Sequence, residues 1–547
     1  MLFHSLDFLV FYTVVVVLYF AWPAPSTSDK SLRSGQAPSG SDAGRRPWDR
    51  IADRVGGYRW VLLLAASYYF YAAWAPQYLL WIVVSTLIDY IAAIQIARMP
   101  AGAARKGLLA FSIVANLALL FVTKYLGFFS DSLQALLNPL NVPYDVPVFR
   151  VLLPVGISFY TFQTIGYTVD VYRGKVEPER HLGLFALFVS FFPQLVAGPI
   201  ERAGKLLPQF RARRDVSASG VVDGLRLMLY GMFKKVVIAD RLALYVNGVY
   251  DHPADYRGLP ILLATLFFAI QIYCDFSGYS DIALGAAKVM GFDLTPNFRR
   301  PYFATSIAEF WRRWHISLSS WFRDYVYIPL GGNRVAKWRW YANLMIVFVA
   351  SGLWHGANWT FVLWGALHGL YYLVEVWTTG IRDRAAQALG LKGKPVLGTV
   401  VGGLVTFVLV CFAWVFFRAN AISDAFTLIG GMVRAGVSTV PAPLTGEVGL
   451  SPVVAPWGGA VSRPSLEMAF AFALIAILAF VDWIQADWTS ADGASAAGAS
   501  GGQRPAWMRG LELTRKVWIR WAVYVLLALA IMNLGVSRGT PFVYLQF

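Results

Sequence analysis

The chain has 547 residues, 57% of them hydrophobic and 14% charged, with a formal net charge of +16. A soluble protein carries about 25% charge, so the composition excludes an ordinary soluble enzyme and points to long apolar runs joined by short basic loops. The basic residues fall in brief clusters between those runs and not along one face, which argues against nucleic acid and for cytoplasmic loops rich in Lys and Arg.

A membrane span needs about 20 apolar residues, and many windows qualify. The 21 Trp and 27 Tyr suit aromatic belts at the two interfaces. The first run, Leu2 to Trp22, has no basic leader, carries Asp7 and lacks a small-x-small cleavage site, so it reads as a retained span. The polar loop 26–56 that follows contains Lys30, Arg33, Arg45, Arg46, Arg50 and Arg54 and is expected in the cytoplasm, with the N-terminus outside. Spans near 60–75 and 77–97 form a hairpin turning at Pro76, and spans near 107–129 and 151–171 come next. The apolar segment 182–200 has basic flanks on both sides and is interrupted by Pro193, Gly198 and Pro199. It is expected to be re-entrant, because irregular backbone at membrane depth is tolerated only where protein buries it or where it lines a cavity.

The segment 220–250 contains Lys234 and Lys235, which puts part of it at the interface. The span 260–290 carries Asp275 and Asp281, which are six residues apart and so do not share a helical face. They are no carboxylate pair; each can bind a basic partner or orient a histidine. The stretch 301–340 is too charged to span and too aromatic for a free loop, which suits amphipathic helices in the cytoplasmic interface. Spans near 341–357, 359–378 and 396–417 follow, then an external loop at 435–466, a flexible Ala/Gly/Ser linker at 490–503 and a last span near 517–536. The aromatic tail 540–547 is then outside. The whole reads as an all-α polytopic membrane protein, one integral-membrane domain over 1–547, with about twelve segments and both termini external. No transporter-type repeat of short, broken segments is present.

Two of the six histidines, His315 and His355, stand in tryptophan-rich surroundings. An ionisable side chain there is a functional hypothesis by default. Read as a helix, Glu309 to Arg323 places Glu309 with Arg313, and His315 with Ser319, at the i, i+4 spacing. Arg312, Arg313, Arg323, Arg334 and Lys337 would then face the cytoplasm, either binding the phosphates of an acyl-CoA or the acidic surface of an acyl carrier protein, or simply anchoring an interfacial helix. His355, in SGLWHGANW, is either a neutral general base for an incoming hydroxyl or a core histidine capping a helix end. Asn358, Ser351 and the backbone near Gly356 are candidate donors to a developing oxyanion. His4, His181, His252 and His368 have weaker contexts, His368 being assigned to packing. The two cysteines, Cys274 and Cys411, offer neither a disulfide framework nor metal-ligand spacing, and no metal is expected. Walker and HExxH motifs are absent from the sequence.

The block EFWRRWHISLSSWFRDYVYIPLGG, followed by LWHGANWTFVLWGALHG, resembles the bacterial branch of the membrane-bound O-acyltransferase (MBOAT) family, especially its alginate O-acetyltransferase type. LLPVGISFYTFQTIGYTVDVYRG, FFPQLVAGPIER and YCDFSGYSDIALGAAKVMGFDLTPNFRRPY extend the likeness, whose signature core spans roughly 150–420. The resemblance implies a bundle of about 11–12 transmembrane helices, with re-entrant and interfacial helices around a central tunnel. It implies His355 as the main catalytic histidine and His315 as the second signature histidine. The tail resembles those that present a tyrosine to the external mouth of such a tunnel, making Tyr544 either a transient acyl carrier or an aromatic interfacial anchor.

The function so implied is transfer of a short acyl group, acetyl foremost, from a cytoplasmic thioester across the membrane to a hydroxyl of an exported polysaccharide, directly or through a periplasmic partner. No tightly bound cofactor is expected; acetyl-CoA or another acyl thioester is the donor substrate. Expected partners are acyl-CoA or an acyl carrier protein, a periplasmic acetyltransferase of SGNH type, the polysaccharide export machinery and membrane lipids, with no nucleic acid. The expected location is a bacterial inner membrane. The alternatives are a lipid, a small glycoconjugate or a D-alanylated teichoic-acid-like acceptor, and a non-enzymatic glycan transporter.

Overall fold

The computed structural model describes residues 2–22, 59–142, 144, 154–212, 216–388, 390, 395–434, 464–484, 517–535 and 542. The loop 26–56, the linker 490–503, residues 435–463 and the tail other than Phe542 lie outside the described residues, Tyr544 among them. The fold is helical throughout, with no strand among the described residues. The chain forms two compact units, one of residues 1–224 and 286–295, the other of residues 225–285 and 296–547.

In the first unit the helices are α1 (Leu6–Ala21), α2 (Arg59–Ala72), α3 (Tyr78–Arg98), α4 (Ala103–Leu120), α5 (Leu126–Leu137), α6 (Ile157–Tyr172), α7 (Leu182–Ser190), α8 (Phe192–Leu195) and α9 (Ala203–Arg211). α3, and the run from α4 through α5, are long and apolar enough to cross a membrane. Asp89 on α3 is fully buried and joins three helices, accepting from Ser112 Oγ and Asn116 Nδ2 of α4 and from Thr168 Oγ1 of α6. The segment expected to be re-entrant is the interrupted pair α7–α8, of nine and four residues. At 1.5 Å per residue neither piece can cross. Side chains satisfy the backbone freed by the break: Gln163 and Gln194 both donate to the Phe188 carbonyl at 2.7 Å, and Ser67 Oγ accepts from the Phe192 N–H. Of the two conditions that permit irregular backbone at depth, burial by protein is met here.

The second unit takes in most of α10 (Ala218–Met232) and α12 (Leu259–Val289), with α11 (Asp240–Tyr250) between them. It continues through α13 (Ile307–Arg313), α14 (Ile316–Phe322), α15 (Lys337–His355), α16 (Trp359–Trp377), α17 (Thr379–Ala388), α18 (Pro395–Arg418), α19 (Ile422–Val433), α20 (Pro464–Ile484) and α21 (Val517–Leu534). α12, the Val396–Arg418 part of α18, and α21 are long and apolar enough to span.

Two expectations are corrected here. Lys234 and Lys235 do not present their ammonium groups to an outer surface; both are buried, in a π-helical segment between α10 and α11. Lys234 Nζ meets Asp281 at 2.6 Å and Ser277 Oγ at 2.8 Å, while Lys235 Nζ meets Asp275 at 2.6 Å and Asp240 at 2.7 Å. Adjacent lysines project in different directions, as do Asp275 and Asp281, so they pair two by two. Each aspartate thus has the basic partner that was one of its two expected roles.

The second correction concerns Glu309 to Arg323, which is not one helix. It breaks at Trp314–His315, where His315 adopts φ 43°, and turns π-helical from Arg323 to Tyr327. The break holds because the preceding loop supplies the missing backbone bonds. The Ile316 N–H donates to the Asn297 carbonyl at 2.9 Å, and the Arg299 N–H donates to the Arg313 carbonyl at 3.0 Å.

Candidate active site

The left-handed backbone at His315 costs a non-glycine residue about 1–2 kcal/mol, and the structure holds it from both sides. Asn297, itself buried, accepts from Ser317 Oγ at 2.7 Å through its side-chain oxygen and donates to Ser280 Oγ at 3.3 Å through its amide. With the Asn297 carbonyl on Ile316, three contacts from one residue fix the turn that carries the histidine. The result is a fully buried imidazole, edge-on to Phe276 at 4.6 Å between ring centroids and 5.8 Å from Trp354. Burial pushes the His315 imidazole down to about 3, so the ring is neutral at physiological pH.

His355 arrives from another direction, as the last residue of α15. α15 and α16 form a tight helical hairpin whose approach depends on glycine. A Cβ on Gly352 would sit 2.2 Å from the Phe361 carbonyl oxygen, and one on Gly365 would sit 2.3 Å from that of Phe348. Small residues at such crossings let two helical backbones approach closely. The hairpin sets the His355 ring against Trp354 and Trp364, each at 5.0 Å, and against Phe417 of α18 at 5.4 Å. The consequence is that the two histidine rings, 40 residues apart in sequence, lie 6.2 Å apart, buried among aromatic side chains.

The other expected residues are placed as follows. Ser351 is buried one turn before His355 on the same helix. Asn358 caps α16, its Oδ1 accepting from the Thr360 N–H at 3.0 Å and its Nδ2 donating to the Asn420 carbonyl at 2.9 Å. Arg313 is half-buried and paired with Glu309, and Arg323 is exposed and paired with Asp324. Arg312, Arg334 and Lys337 are exposed. Ser319 Oγ donates to the Trp314 carbonyl at 3.2 Å, across the break. Among the described residues, no group of His, Cys, Asp and Glu could hold a metal ion.

A family model for the membrane-bound O-acyltransferases matches residues 180–389, a stretch that includes both histidines. Over 496 residues the chain is 36% identical to the probable alginate O-acetylase AlgI of Pseudomonas putida, covering 90% of this chain and 95% of that protein. The chain belongs to the membrane-bound O-acyltransferase family. It is therefore a membrane protein and an O-acyltransferase. Other MBOAT relatives are the probable alginate O-acetylase AlgI of Pseudomonas aeruginosa, 40% identical over 381 residues (69% of this chain, 70% of the relative), and the peptidoglycan O-acetyltransferase of Helicobacter pylori, 35% identical over 397 residues (68% and 73%).

Three features of this MBOAT site escaped sequence reasoning. Asn297 lies in a loop whose sequence carries no periodic signal. Phe276 contacts His315 from the same helix as Asp275, and nothing local marks that approach. Phe542, fully buried, stacks on Tyr279 at 4.9 Å and lies 5.7 Å from Phe276, so a residue of the tail sits one aromatic ring away from His315.

Proposed function

We propose that the protein moves an acetyl group from a cytoplasmic thioester to a hydroxyl of an exported polysaccharide, in a bacterial inner membrane. The observation that carries this reading is the pair of buried histidine rings at 6.2 Å, contributed by separate segments. The relatives' names support a polymer acceptor, since the proteins so named act on alginate and on peptidoglycan.

In this reading a ring nitrogen of His355 accepts the hydroxyl proton as that oxygen attacks the thioester carbonyl carbon. The C–O bond forms, the C–S bond breaks, and the departing thiolate takes the proton back from the imidazolium. A general base of this kind contributes about 10²–10⁴-fold. His315, neutral and fixed by its turn, positions the reacting groups. Exposed Arg312, Arg334 and Lys337, with Arg323, would meet the phosphates of acyl-CoA or an acidic carrier protein. Ser351 is better disposed than Asn358 to donate to the oxyanion, because the Asn358 amide already serves a cap and a carbonyl.

The tail takes part in delivery. The seat of Phe542 on Tyr279 and Phe276 supports Tyr544, two residues further on, as the transient acyl carrier that a periplasmic SGNH-type transferase and the export machinery would unload. The test is incubation of membranes with radiolabelled acetyl-CoA. Label should reach polymer with the wild type, and neither His355→Ala nor a chain lacking its last seven residues should support transfer. Full polymer labelling by the truncated chain would remove Tyr544 from the route, and labelling by His355→Ala would remove the base.

A further inference from the structure

Thr360, Trp364 and His368 stand at i, i+4 and i+8 on α16 and so share one face. All three are exposed by 1% or less. Thr360 Oγ1, Trp364 Nε1 and both ring nitrogens of His368 have no hydrogen-bond partner among the described residues. Roughly 90% or more of buried polar groups in folded proteins are paired, so a run of such groups on a single helical face calls for a partner beyond the described residues.

The position of this face indicates which partner. The Trp364 ring is edge-on to His355, at 5.0 Å between centroids and 88° between planes, and it is the ring that separates His355 from His368. Indole N–H is a donor only, and the threonine hydroxyl one turn earlier can also donate. One uncharged donor on a ring packed against the candidate base, with a second one turn earlier on the same helical face, in aromatic surroundings, matches what acyl transfer needs at its highest point: donors for the carbonyl oxygen once it becomes an oxyanion. A fixed neutral donor is worth more there than in water, because few other dipoles screen it.

We propose that Trp364, through its indole N–H, is a catalytic residue that donates to the oxyanion of the tetrahedral intermediate, with the Thr360 hydroxyl as the second donor. As the hydroxyl oxygen attacks, the carbonyl π electrons move onto that oxygen, and the two donors stabilise the charge until the C–S bond breaks and the carbonyl re-forms. The assignment takes the place of both donors expected from the sequence, the Ser351 hydroxyl and the amide of Asn358, the latter serving as a helix cap. It rests on acyl transfer to a hydroxyl from a thioester, whichever carrier and polymer are involved.

Trp364→Phe removes the N–H and keeps most of the ring packing, and an isostere with sulfur in place of the indole nitrogen keeps all of it. Both should lower kcat on the order of 10²–10³-fold with little change in KM, the loss expected for one oxyanion donor. Thr360→Val should lower kcat in the same sense. Neither isosteric change should lower the melting temperature, because no hydrogen bond among the described residues is lost. Wild-type kcat in the sulfur isostere would overturn the assignment, as would a loss that appears in KM or tracks a lower melting temperature. Ester content of the secreted polymer, read in cells at matched expression, keeps this test separate from the donor reading. A wild type that makes esters in cells but takes nothing from acetyl-CoA refutes that donor, while the Trp364 comparison still decides the donor of the hydrogen bond.

Discussion

Asn297 is the residue on which the geometry at His315 turns. It pairs with Ser317, Ser280 and the Ile316 N–H, and so holds a backbone conformation that His315 would not adopt unaided. Asn297→Ala leaves the Ser317 and Ser280 hydroxyls without this partner, at about 1–3 kcal/mol of stability. The expected result is a lower melting temperature together with a fall in kcat larger than any change in KM; a melting shift with unchanged kcat would make the residue purely structural. At His315 itself burial disfavours the cation, so the ring stays neutral well below the usual histidine range. His315 therefore contributes no limb to the pH–rate profile between about pH 5 and 8, where an unperturbed histidine would titrate. A profile of His315→Gln that keeps the wild-type acidic limb at reduced height agrees with this; a displaced limb would contradict it.

At the scale of elements, the glycines of the α15–α16 hairpin set how His355 packs against Trp364. The contacts at Gly352 and Gly365 leave no room for a methyl group, so Gly365→Ala must push the two backbones apart and move His355 relative to Trp364. Activity should fall by more than about tenfold, since even small displacements of reacting groups are costly, and a variant with full activity and unchanged melting would show that the crossing is slack. The buried lysines make a second prediction. Lys235→Met strands Asp275 and Asp240 without their cation, and removing one partner of a buried pair costs about 3–5 kcal/mol. Thermal melting in detergent measures that loss, and a change near zero would mean that the pair is not sequestered.

Elements and their order were legible because apolar runs and basic loops encode them directly. α3, α12 and α18 fall where hydropathy puts them, and the interruption at Pro193 was visible as a helix breaker. The break at Trp314–His315 was not legible, since Glu309 to Arg323 has ordinary helical spacing and the bonds that stabilise the break come from Asn297 and Arg299. The burial of Lys234 and Lys235 was hidden for a related reason: a lysine in an apolar run reads as an interface marker until its carboxylates, some 40 residues later, are known to face it. Thr360, Trp364 and His368 could have been found from their four-residue spacing, but only the hydrogen-bond accounting separates that stripe from ordinary packing.

At the scale of the molecule, each unit pays for polar groups inside an apolar body by pairing them, around Asp89 in one and around Lys234 and Lys235 in the other. Against that background the two histidines in aromatic surroundings are the proposed functional centre of the second unit. If His355 carries acyl transfer with His315 beside it, ester formation depends on both rings. The decisive experiment compares the O-acetyl ester content of the secreted polysaccharide in cells expressing wild type, His355→Ala or His315→Ala at equal membrane levels. Polymer should be made in normal amount, with esters lost in His355→Ala and strongly reduced in His315→Ala. Undiminished esters in His355→Ala would contradict that dependence.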